Sequence, residues 1–405
     1  MGRRQQSILT AIDVGSAKTC VLVAEITEAG LRYRGHGVSD SRGSRKGVIV
    51  DLEKAVASIQ RAVEEAETAS GVVIESALAG VAGSHVRGVN SRGGLLSSRP
   101  REITRDDVRH TVEKARAISL PADRDVLHIL PQEFILDQQG SIRDPLGMQG
   151  AKLEVQVHLV TAAASATQNV VNALNRAGIH VDDTVFEPLA AADATLKSDE
   201  KELGVCLADV GAGSTDLIVF CEGVVAHTAV IPIGGDHFTS DVAVGLRTPL
   251  PDAEKIKRLF GCALVARVPE GNEVEVPAVG DRPSRLLPQR LLAEILEPRA
   301  RELFELLREN LSHAGVLEIC GAGAVLTGGA ARLPALLEVA EDVLRRPARL
   351  ARPLPLDKMP AALAEPEFST AIGLLLYGQR AQLNRGTENH NFLSRLKSWL
   401  GRDGS

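Results

Sequence analysis

The stretch VCLADVGAGSTDLIVFC, residues 205–221, has a counterpart earlier in the chain, LTAIDVGSAKTCVLVAE, residues 9–25. The two align when Asp13 is placed on Asp209, which also brings Thr19 onto Thr215. Each copy consists of an apolar strand, Asp-Val-Gly, a short loop and a second apolar strand. One such hairpin is weak evidence, but two in one chain predict a duplicated α/β domain whose loops face each other.

The two loops have the composition of a phosphate-binding turn. A tight turn after a strand can direct successive backbone N–H groups at an anion. Gly211 and Gly213 have no Cβ and allow the backbone to come close to a ligand. Ser214 and Thr215 add hydroxyl donors. The alternative is an ordinary β-hairpin turn, which either loop taken alone also fits.

Two carboxylates and a third glycine-containing turn support the phosphate-binding hypothesis. Asp13 and Asp209, one in each loop, suit Mg²⁺, which keeps several waters and takes one or two carboxylates. GAVLTGGAARLPALLEVA, residues 323–340, predicts a buried strand, a Gly328-Gly329 turn and a helix start, where a ligand can lie against the backbone. A generic strand-to-helix turn is the alternative. No GxxxxGK[ST] motif occurs, and Asp216 stands where a Rossmann GxGxxG needs its third glycine, so both of those nucleotide motifs are excluded.

Composition excludes several function classes. The 405 residues carry a formal charge of −6 and only 3% are aromatic, which argues against a nucleic-acid partner. The five cysteines are odd in number and never spaced as CxxC, so we expect reduced, mostly buried thiols. Asp13 interrupts the first apolar stretch before a signal-peptide core could form, and no run of about 18 apolar residues could span a bilayer. We therefore expect a cytoplasmic protein.

Strands and helices alternate along most of the chain, which predicts two α/β lobes and an insertion. A Thr104/Asp107 capping-box pattern begins one helix, and residues 152–160 alternate apolar and polar, which predicts a sheet with one wet face. The proline-rich residues 347–366 are expected to form a surface excursion. The predicted divisions are the first-lobe core (1–85 and 161–192), an inserted α+β module (86–160), the second-lobe core (193–235 and 315–383), its smaller subdomain (236–314), a linker (384–390) and a terminal amphipathic helix (391–402).

The segment NFLSRLKSWLGR, residues 391–402, has the pattern of a membrane-surface helix. Its apolar side chains fall on one helical face, and its basic side chains occupy the remainder, where anionic lipid head groups would attract them. The predicted membrane-contacting residues are Phe392, Leu393, Arg395, Leu396, Lys397, Trp399 and Leu400. The alternative is a terminal helix docked on the core, but the polar linker 384–390 favours a tether.

Several motifs resemble those of the actin-like ATPase superfamily, which includes actin, heat-shock chaperones and sugar kinases. The two Asp-Gly loops, the Gly328-Gly329-Ala330 turn, FEPLAAADA (186–194) and DAEKIK (252–257) carry the resemblance. It implies a two-lobed α/β ATPase fold with ATP and Mg²⁺ between the lobes, Glu187 near the γ-phosphate and its water, and Glu254 and Lys257 at the ribose or adenine. The implied nucleotide-binding residues are Asp13, Gly15, Ser16, Ala17, Lys18, Asp209, Gly211, Ala212, Gly213, Ser214, Thr215, Gly235, Glu254, Lys257, Gly328, Gly329 and Ala330, with Asp13 and Asp209 serving Mg²⁺ through water.

The chain more closely resembles the FtsA family of bacterial cell-division proteins, over essentially its whole length. The strings VLHILPQEFILD (126–137), TPLPDAEKIK (248–257), VLTGGAARLPALLEVA (325–340) and STAIGLLLYG (369–378) carry this resemblance. FtsA-like proteins polymerise, tether the tubulin-like FtsZ to the inner membrane and recruit later division proteins.

The FtsA resemblance therefore implies specific partners and a location. The implied partners are the FtsZ C-terminal tail, other copies of the chain in a filament, later division proteins and anionic inner-membrane lipids. The implied location is the cytoplasmic face of the inner membrane at the division site. The FtsZ tail would dock on the smaller subdomain of the second lobe, with Arg290, Glu294 and Arg299 as candidate contacts.

The superfamily offers three alternatives. A sugar kinase needs a positioned base, and no extra carboxylate motif is present. A chaperone ATPase needs a substrate-binding domain, for which the predicted organisation leaves no segment. A pilus-associated actin-like adaptor lacks a membrane helix of this kind. Because Glu187 is the only candidate for activating water, we expect at most slow ATP hydrolysis, with the nucleotide acting mainly on structure.

Overall fold

The computed structural model describes residues 8–280 and 282–385 as a succession of short strands and helices. In the first half the strands are β1 (Ile8–Val14), β2 (Lys18–Thr27), β3 (Gly30–Asp40), β4 (Ser44–Arg45), β5 (Val48–Ile49), β6 (Ser76–Val81), β7 (Arg87–Glu102), β8 (Arg124–Leu136), β9 (Gln139–Ile142), β10 (Gln149–Ala163) and β11 (His180–Phe186). The helices of that half are α1 (Leu52–Ser70), α2 (Arg105–Arg116), α3 (Ala164–Arg176), α4 (Glu187–Thr195) and α5 (Ser198–Leu203).

The second half continues the alternation. Its strands are β12 (Val205–Val210), β13 (Thr215–Cys221), β14 (Val224–Ile231), β15 (Glu273–Val276), β16 (Arg285–Pro288), β17 (Ala324–Thr327) and β18 (Ala348–Leu350). Its helices are α6 (Gly235–Leu246), α7 (Leu250–Phe260), α8 (Gln289–His313), α9 (Leu336–Leu344) and α10 (Ser369–Arg385).

Two five-stranded sheets with the same connectivity confirm the duplicated domain. Their strand orders are β11-β6-β1-β2-β3 and β14-β13-β12-β17-β18. In each sheet three consecutive strands form an antiparallel meander, and two later strands join it in parallel. Asp13 pairs with Cys20 across one hairpin, and Asp209 pairs with Asp216 across the other, so the two carboxylates occupy equivalent positions.

Helix α1 illustrates how local sequence builds the first lobe. Asp51 caps its N-terminus by accepting a hydrogen bond from the Lys54 N–H, and Gly71 ends it in the left-handed conformation at φ +67°. The apolar positions between these caps recur at helical spacing and are buried against the sheet. Helices α1 and α3 thus cover one face of the first-lobe sheet.

The inserted module is a four-stranded antiparallel sheet, β7-β10-β8-β9, with α2 packed on one face. The predicted capping box is confirmed: the Thr104 hydroxyl accepts from the Asp107 N–H, and the Asp107 carboxylate accepts from the Thr104 N–H. Arg101 also donates two hydrogen bonds to Asp107. These bonds hold the pKa of the Asp107 carboxyl far below its ordinary value, although burial acts to raise it. Strand β8 is long and is bulged near Pro131.

The expectation of a uniformly wet face on β10 is wrong at His158. Its side chain is only 1% exposed and is hydrogen-bonded to Asn90 at 2.6 Å and to the Thr228 hydroxyl at 2.9 Å. Thr228 lies on β14 of the second lobe. Burial lowers the pKa of His158 to about 4, with His227 contributing, so the ring is neutral. The inserted module therefore packs against both lobes.

The region predicted as a smaller subdomain, 236–314, contains α6, α7, α8 and the β15–β16 hairpin, and its apolar side chains share one core cluster with the second-lobe sheet. The apolar face of α8 is buried in the second-lobe core through Leu292, Leu296, Leu303 and Leu307. The prediction that 347–366 is a surface excursion is only partly right. This segment contains β18, and it buries Ala351 and Leu363.

Helix α10 packs on the first lobe, which corrects the assignment of all of 315–383 to the second lobe. Its buried residues Ile372, Leu374 and Leu375 lie in one cluster with Leu9 and Ala11 of β1. Helix α4 lies beside α10 and also reaches the second core cluster, which joins the two lobes. The chain crosses from the second lobe back to the first between β18 and α10, because Asp357 already exchanges backbone hydrogen bonds with Leu31 and Tyr33 of β3.

The structure bears on two expectations drawn from composition, the state of the cysteines and the presence of membrane-spanning helices. All five cysteines are free thiols, and each except Cys221 is buried. Among the helices of the described ranges, none combines the length and the apolarity that a bilayer span requires. The proposed linker and terminal helix fall almost wholly outside those ranges, so the prediction for 391–402 stays a prediction.

Candidate functional site

A cavity of about 950 Å³ lies between the two lobes, and both lobes line it. A volume of this size suits a nucleotide-sized ligand. The structure brings nearly all of the predicted nucleotide-binding residues to its wall: Asp13, Gly15, Ser16, Ala17, Lys18, Asp209, Gly211, Ala212, Gly213, Ser214, Gly235, Glu254, Lys257, Gly328, Gly329 and Ala330. Thr215 is the exception. It is fully buried in β13, and its hydroxyl donates to the Ile233 carbonyl.

The first Asp-Gly loop, residues 13–18, joins β1 to β2 at one end of the cavity. The Ser16 hydroxyl accepts a hydrogen bond from the Gly47 N–H at 3.2 Å. The Lys18 ammonium donates to the Glu367 carbonyl at 2.5 Å and lies 4.2 Å from the centre of the Phe368 ring. Lys18 therefore contacts the segment that returns from the second lobe.

The second Asp-Gly loop, residues 209–216, faces the first across the cleft. A Cβ on Gly213 would lie 2.6 Å from the Lys46 Cα and 2.9 Å from the Ser16 hydroxyl, so only glycine allows this approach. Asp216 accepts hydrogen bonds from the Gly83 N–H at 3.0 Å and from the Ser214 hydroxyl at 2.9 Å. The bond to Gly83 joins the lobes at the base of the cleft.

The Gly-Gly turn, Gly328 and Gly329, completes the wall. Gly328 has φ +85°, and a Cβ there would lie 2.3 Å from an Asp209 carboxylate oxygen. At Gly329 the nearest atom to an added Cβ is 3.7 Å away, so this position opens into the cavity. The predicted helix start is wrong in detail. A 3-10 turn (Gly329–Arg332) begins at the second glycine, and α9 begins only at Leu336.

Four carboxyl groups line the cavity, those of Asp13, Asp209, Asp216 and Glu187. Burial raises the pKa of Asp209 to about 7, and the carboxyls of Asp216 and Asp13 add to the shift. Burial likewise raises the pKa of Asp216 to about 6 and that of Asp13 above its ordinary value, although Lys18 opposes the shift at Asp13. Crowding of acidic groups out of water is relieved by a bound cation.

Within the described ranges, no cluster of three or more His, Cys, Asp or Glu side chains forms a direct ligand set for a metal. Mg²⁺ does not need one, because it retains waters and takes one or two carboxylates. Asp13 and Asp209, one from each lobe, therefore fit a hydrated Mg²⁺.

Glu187, the candidate catalytic residue, begins α4 and lines the same cavity. Its carboxyl lies over Gly80, where an added Cβ would be 2.7 Å from one of its oxygens. Burial raises its pKa well above the ordinary value, and Asp13, Asp216 and Asp209 raise it further. The raised pKa reflects a carboxyl group that is poorly solvated and surrounded by other acidic groups.

The other end of the cavity belongs to the second lobe. Lys257 pairs with Glu254 at 2.6 Å and donates to the Gly235 carbonyl at 2.9 Å. Burial tends to raise the pKa of Glu254, but the Lys257 ammonium keeps that pKa below its ordinary value. Sequence reasoning missed the apolar lining beside this pair, which comprises Leu250, Leu259, Leu333 and Pro334. Their proximity depends on the packing of α7 against the turn before α9 and has no local sequence signal.

The candidate partner-contact residues on α8 differ in availability. Arg290 and Glu294 are about half exposed and form a loose pair at 3.7 Å. Arg299 is instead held at 2.6 Å by Asp241 of α6 and also pairs with Glu302. Arg299 therefore fastens α8 to α6, which leaves Arg290 and Glu294 as the more accessible pair. The predicted membrane residues lie outside the described ranges.

Comparison with known proteins gives the family. The model for "Cell division protein FtsA" matches residues 206–373, and that for the "SHS2 domain inserted in FTSA" matches residues 83–161. The chain is 44% identical to the cell division protein FtsA of Pseudomonas aeruginosa, with 97% of each covered, and 37% identical to that of Escherichia coli, with 98% of each covered.

The chain belongs to the FtsA family. Its relatives are cell-division proteins, and the identity over nearly the whole length favours this family over the sugar-kinase, chaperone and pilus-adaptor alternatives. The inserted FtsA-type module is the α+β sheet described above.

Solved structures confirm the actin-like fold. A PilM-PilN type IV pilus biogenesis complex matches with a TM-score of 0.66 at 17% identity, over 93% of this chain and 99% of that one. MreB5 of Spiroplasma citri bound to ADP matches with a TM-score of 0.57 at 13% identity, over 95% of this chain and 99% of that one. At these identities the two matches show that the fold is shared, and nothing about function is taken from them.

Proposed function

We propose that this FtsA-family chain binds Mg²⁺-ATP between its lobes, assembles into filaments and tethers FtsZ to the inner membrane. The observation that carries the nucleotide assignment is the convergence of the two Asp-Gly loops and the Gly-Gly turn on one cavity. A division protein that binds a partner, other copies of itself and lipid needs separate surfaces for each. The lobes, the inserted module and the C-terminal segment supply them.

In this proposal each part of the cleft has a distinct role toward the nucleotide. The backbone N–H groups of the two Asp-Gly loops hold the phosphates, because glycines let the chain approach and turn its donors toward an anion. Asp13 and Asp209 hold hydrated Mg²⁺, which neutralises phosphate charge when bound. Glu254 and Lys257 orient the ribose or adenine, and the apolar residues beside them cover the base. Glu187 stands near the γ-phosphate as the candidate partner of a water.

The C-terminal segment 391–402 supplies the membrane contact in this proposal. Its sequence pairs an apolar face with basic residues, a composition that binds the surface of an anionic bilayer. A single short helix of this kind binds reversibly. A filament carries many copies, and their combined avidity holds it at the cytoplasmic face of the inner membrane, where later division proteins can join it.

The FtsZ C-terminal tail is proposed to dock on residues 236–314, and Arg290→Glu tests this. We expect the change to weaken binding of the FtsZ tail peptide by about two- to fivefold, since one exposed charge contributes at most about 1 kcal/mol. Fluorescence anisotropy with a labelled peptide measures the affinity. Lys54→Glu is the matched control, because Lys54 is also an exposed helix cation in a local pair but lies on α1. Its affinity should equal that of the unchanged chain.

Arg299→Glu is a poorer test because it also breaks the contact with Asp241. Unchanged peptide affinity in Arg290→Glu removes Arg290 from the contact. Failure of the unchanged chain to bind the peptide at all overturns the tethering proposal.

A further inference from the structure

Residues 366–370, here called the strap, touch all three elements of the nucleotide site. The Glu367 carbonyl accepts from Lys18 of the first Asp-Gly loop. The Pro366 carbonyl accepts from the Gly328 N–H of the Gly-Gly turn at 3.3 Å. The Thr370 hydroxyl donates to an Asp209 carboxylate oxygen of the second Asp-Gly loop at 3.1 Å. The sequence pattern did not predict these contacts.

The bond from Thr370 to Asp209 joins the two lobes. Thr370 lies in the first turn of α10, which packs on the first-lobe sheet, whereas Asp209 is the penultimate residue of β12 in the second-lobe sheet. Thr370 is 5% exposed, so water does not compete freely for its hydroxyl. The other Asp209 oxygen lies against Gly328, where an added Cβ would come within 2.3 Å. The carboxylate is therefore held from two sides.

We propose that Thr370 is a positioning residue of the nucleotide site, whose hydroxyl orients Asp209 toward the hydrated metal ion of the bound nucleotide. This inference rests on the proposed function. A carboxylate that serves a metal through water must hold its oxygens in fixed directions, and hydrogen bonds from neighbouring groups commonly do this. Because the donor and the carboxylate sit on different lobes, the metal site is complete only when the lobes are in this relative position.

The neighbouring Ser369 shows what a purely structural hydroxyl does in the same turn. Its hydroxyl is buried and lies 2.7 Å from the Thr327 hydroxyl at the end of β17. It touches none of the cavity carboxylates through a hydrogen bond in the described structure. Ser369→Ala therefore removes a buried hydrogen bond one residue away without removing a bond to Asp209, and it is the matched control.

Calorimetric titration of the full chain with ATP, in excess Mg²⁺ and in EDTA, tests the proposal. The quantity compared is the gain in ATP affinity that Mg²⁺ provides. We expect Thr370→Val to reduce this gain by about tenfold, the usual effect of one hydrogen bond to a charged group, and to leave the affinity in EDTA unchanged. Thr370→Ser should keep the gain. Ser369→Ala should lower the unfolding midpoint in urea but also keep the gain.

Two outcomes overturn the role of Thr370. An unchanged Mg²⁺-dependent gain in Thr370→Val makes the residue a structural fastener only. An equal loss of affinity with and without metal points to altered packing rather than positioning. Thr370→Ala, which also removes the hydroxyl, replaces the valine variant if urea unfolding reports a damaged fold. Failure of the unchanged chain to bind ATP, or to gain from Mg²⁺, rejects the proposed nucleotide function itself and this inference with it.

Discussion

Gly329→Glu is expected to lower the affinity for ATP by at least about a hundredfold. Gly329 lines the cavity, and an added Cβ would meet no atom closer than 3.7 Å, so the backbone can accept a side chain there. The glutamate chain would extend into the space proposed for the nucleotide. Its charge would lie near the phosphates and the buried carboxyls, and like charges placed together cost several kcal/mol.

Gly329→Ala is the matched control for this prediction. It adds only the Cβ, which has room, so its ATP affinity should stay within about threefold of the unchanged chain. Gly328 is unsuitable for substitution. Its φ of +85° disfavours any side chain, and an added Cβ would clash with Asp209, so a substitution there would disturb the fold as well. Calorimetry measures the ATP affinities of the unchanged chain, Gly329→Glu and Gly329→Ala. If Gly329→Glu binds ATP as tightly as Gly329→Ala, the nucleotide does not lie against the Gly-Gly turn.

Trp399→Glu is expected to abolish binding to anionic vesicles while leaving ATP affinity unchanged. The substitution removes the largest apolar side chain of the proposed membrane face, worth about 1.5–3 kcal/mol when buried, and puts a repelled negative charge in its place. The cleft lining and the segment 391–402 share no residue, so the nucleotide site should not respond. Cosedimentation with vesicles measures the first effect, and calorimetry measures the second.

Because Trp399 is the single tryptophan, its emission reports on the same event. Emission should shift to the blue when anionic vesicles are added, and added salt should weaken the shift through screening. Trp399→Phe is the control and should still sediment with vesicles, since it keeps an apolar ring. Emission that is already blue without lipid, and does not move with it, supports a helix docked on the core instead.

The sequence was sufficient to predict which loops line the cavity, because there local pattern determines local structure. Strand, Asp, glycine loop and strand form a hairpin whatever surrounds them, and finding the pattern at Asp13 and at Asp209 predicts two loops from two sheets. The lobes then bring both loops to one cavity. The Thr104 capping box was predictable for the same reason.

Features that depend on packing between distant segments were not predictable. Alternation along β10 indicated a solvated His158, but the second lobe covers that residue, and Thr228 bonds to it. The apolar residues of α10 indicated burial without indicating which sheet they cover, so 315–383 was assigned to one lobe. The strap was missed because Lys18 and Glu367 meet only after the chain has passed through both lobes.

Hydrogen–deuterium exchange of the full chain, with and without Mg²⁺-ATP, tests whether the nucleotide binds between the lobes. Backbone amides exchange more slowly where a ligand hydrogen-bonds to them or closes the structure around them. We expect simultaneous protection of 13–18 in the first lobe and of 209–216 and 328–332 in the second, with 366–370 protected alongside them. Protection confined to the segments of one lobe, or no protection at saturating Mg²⁺-ATP, would contradict this expectation.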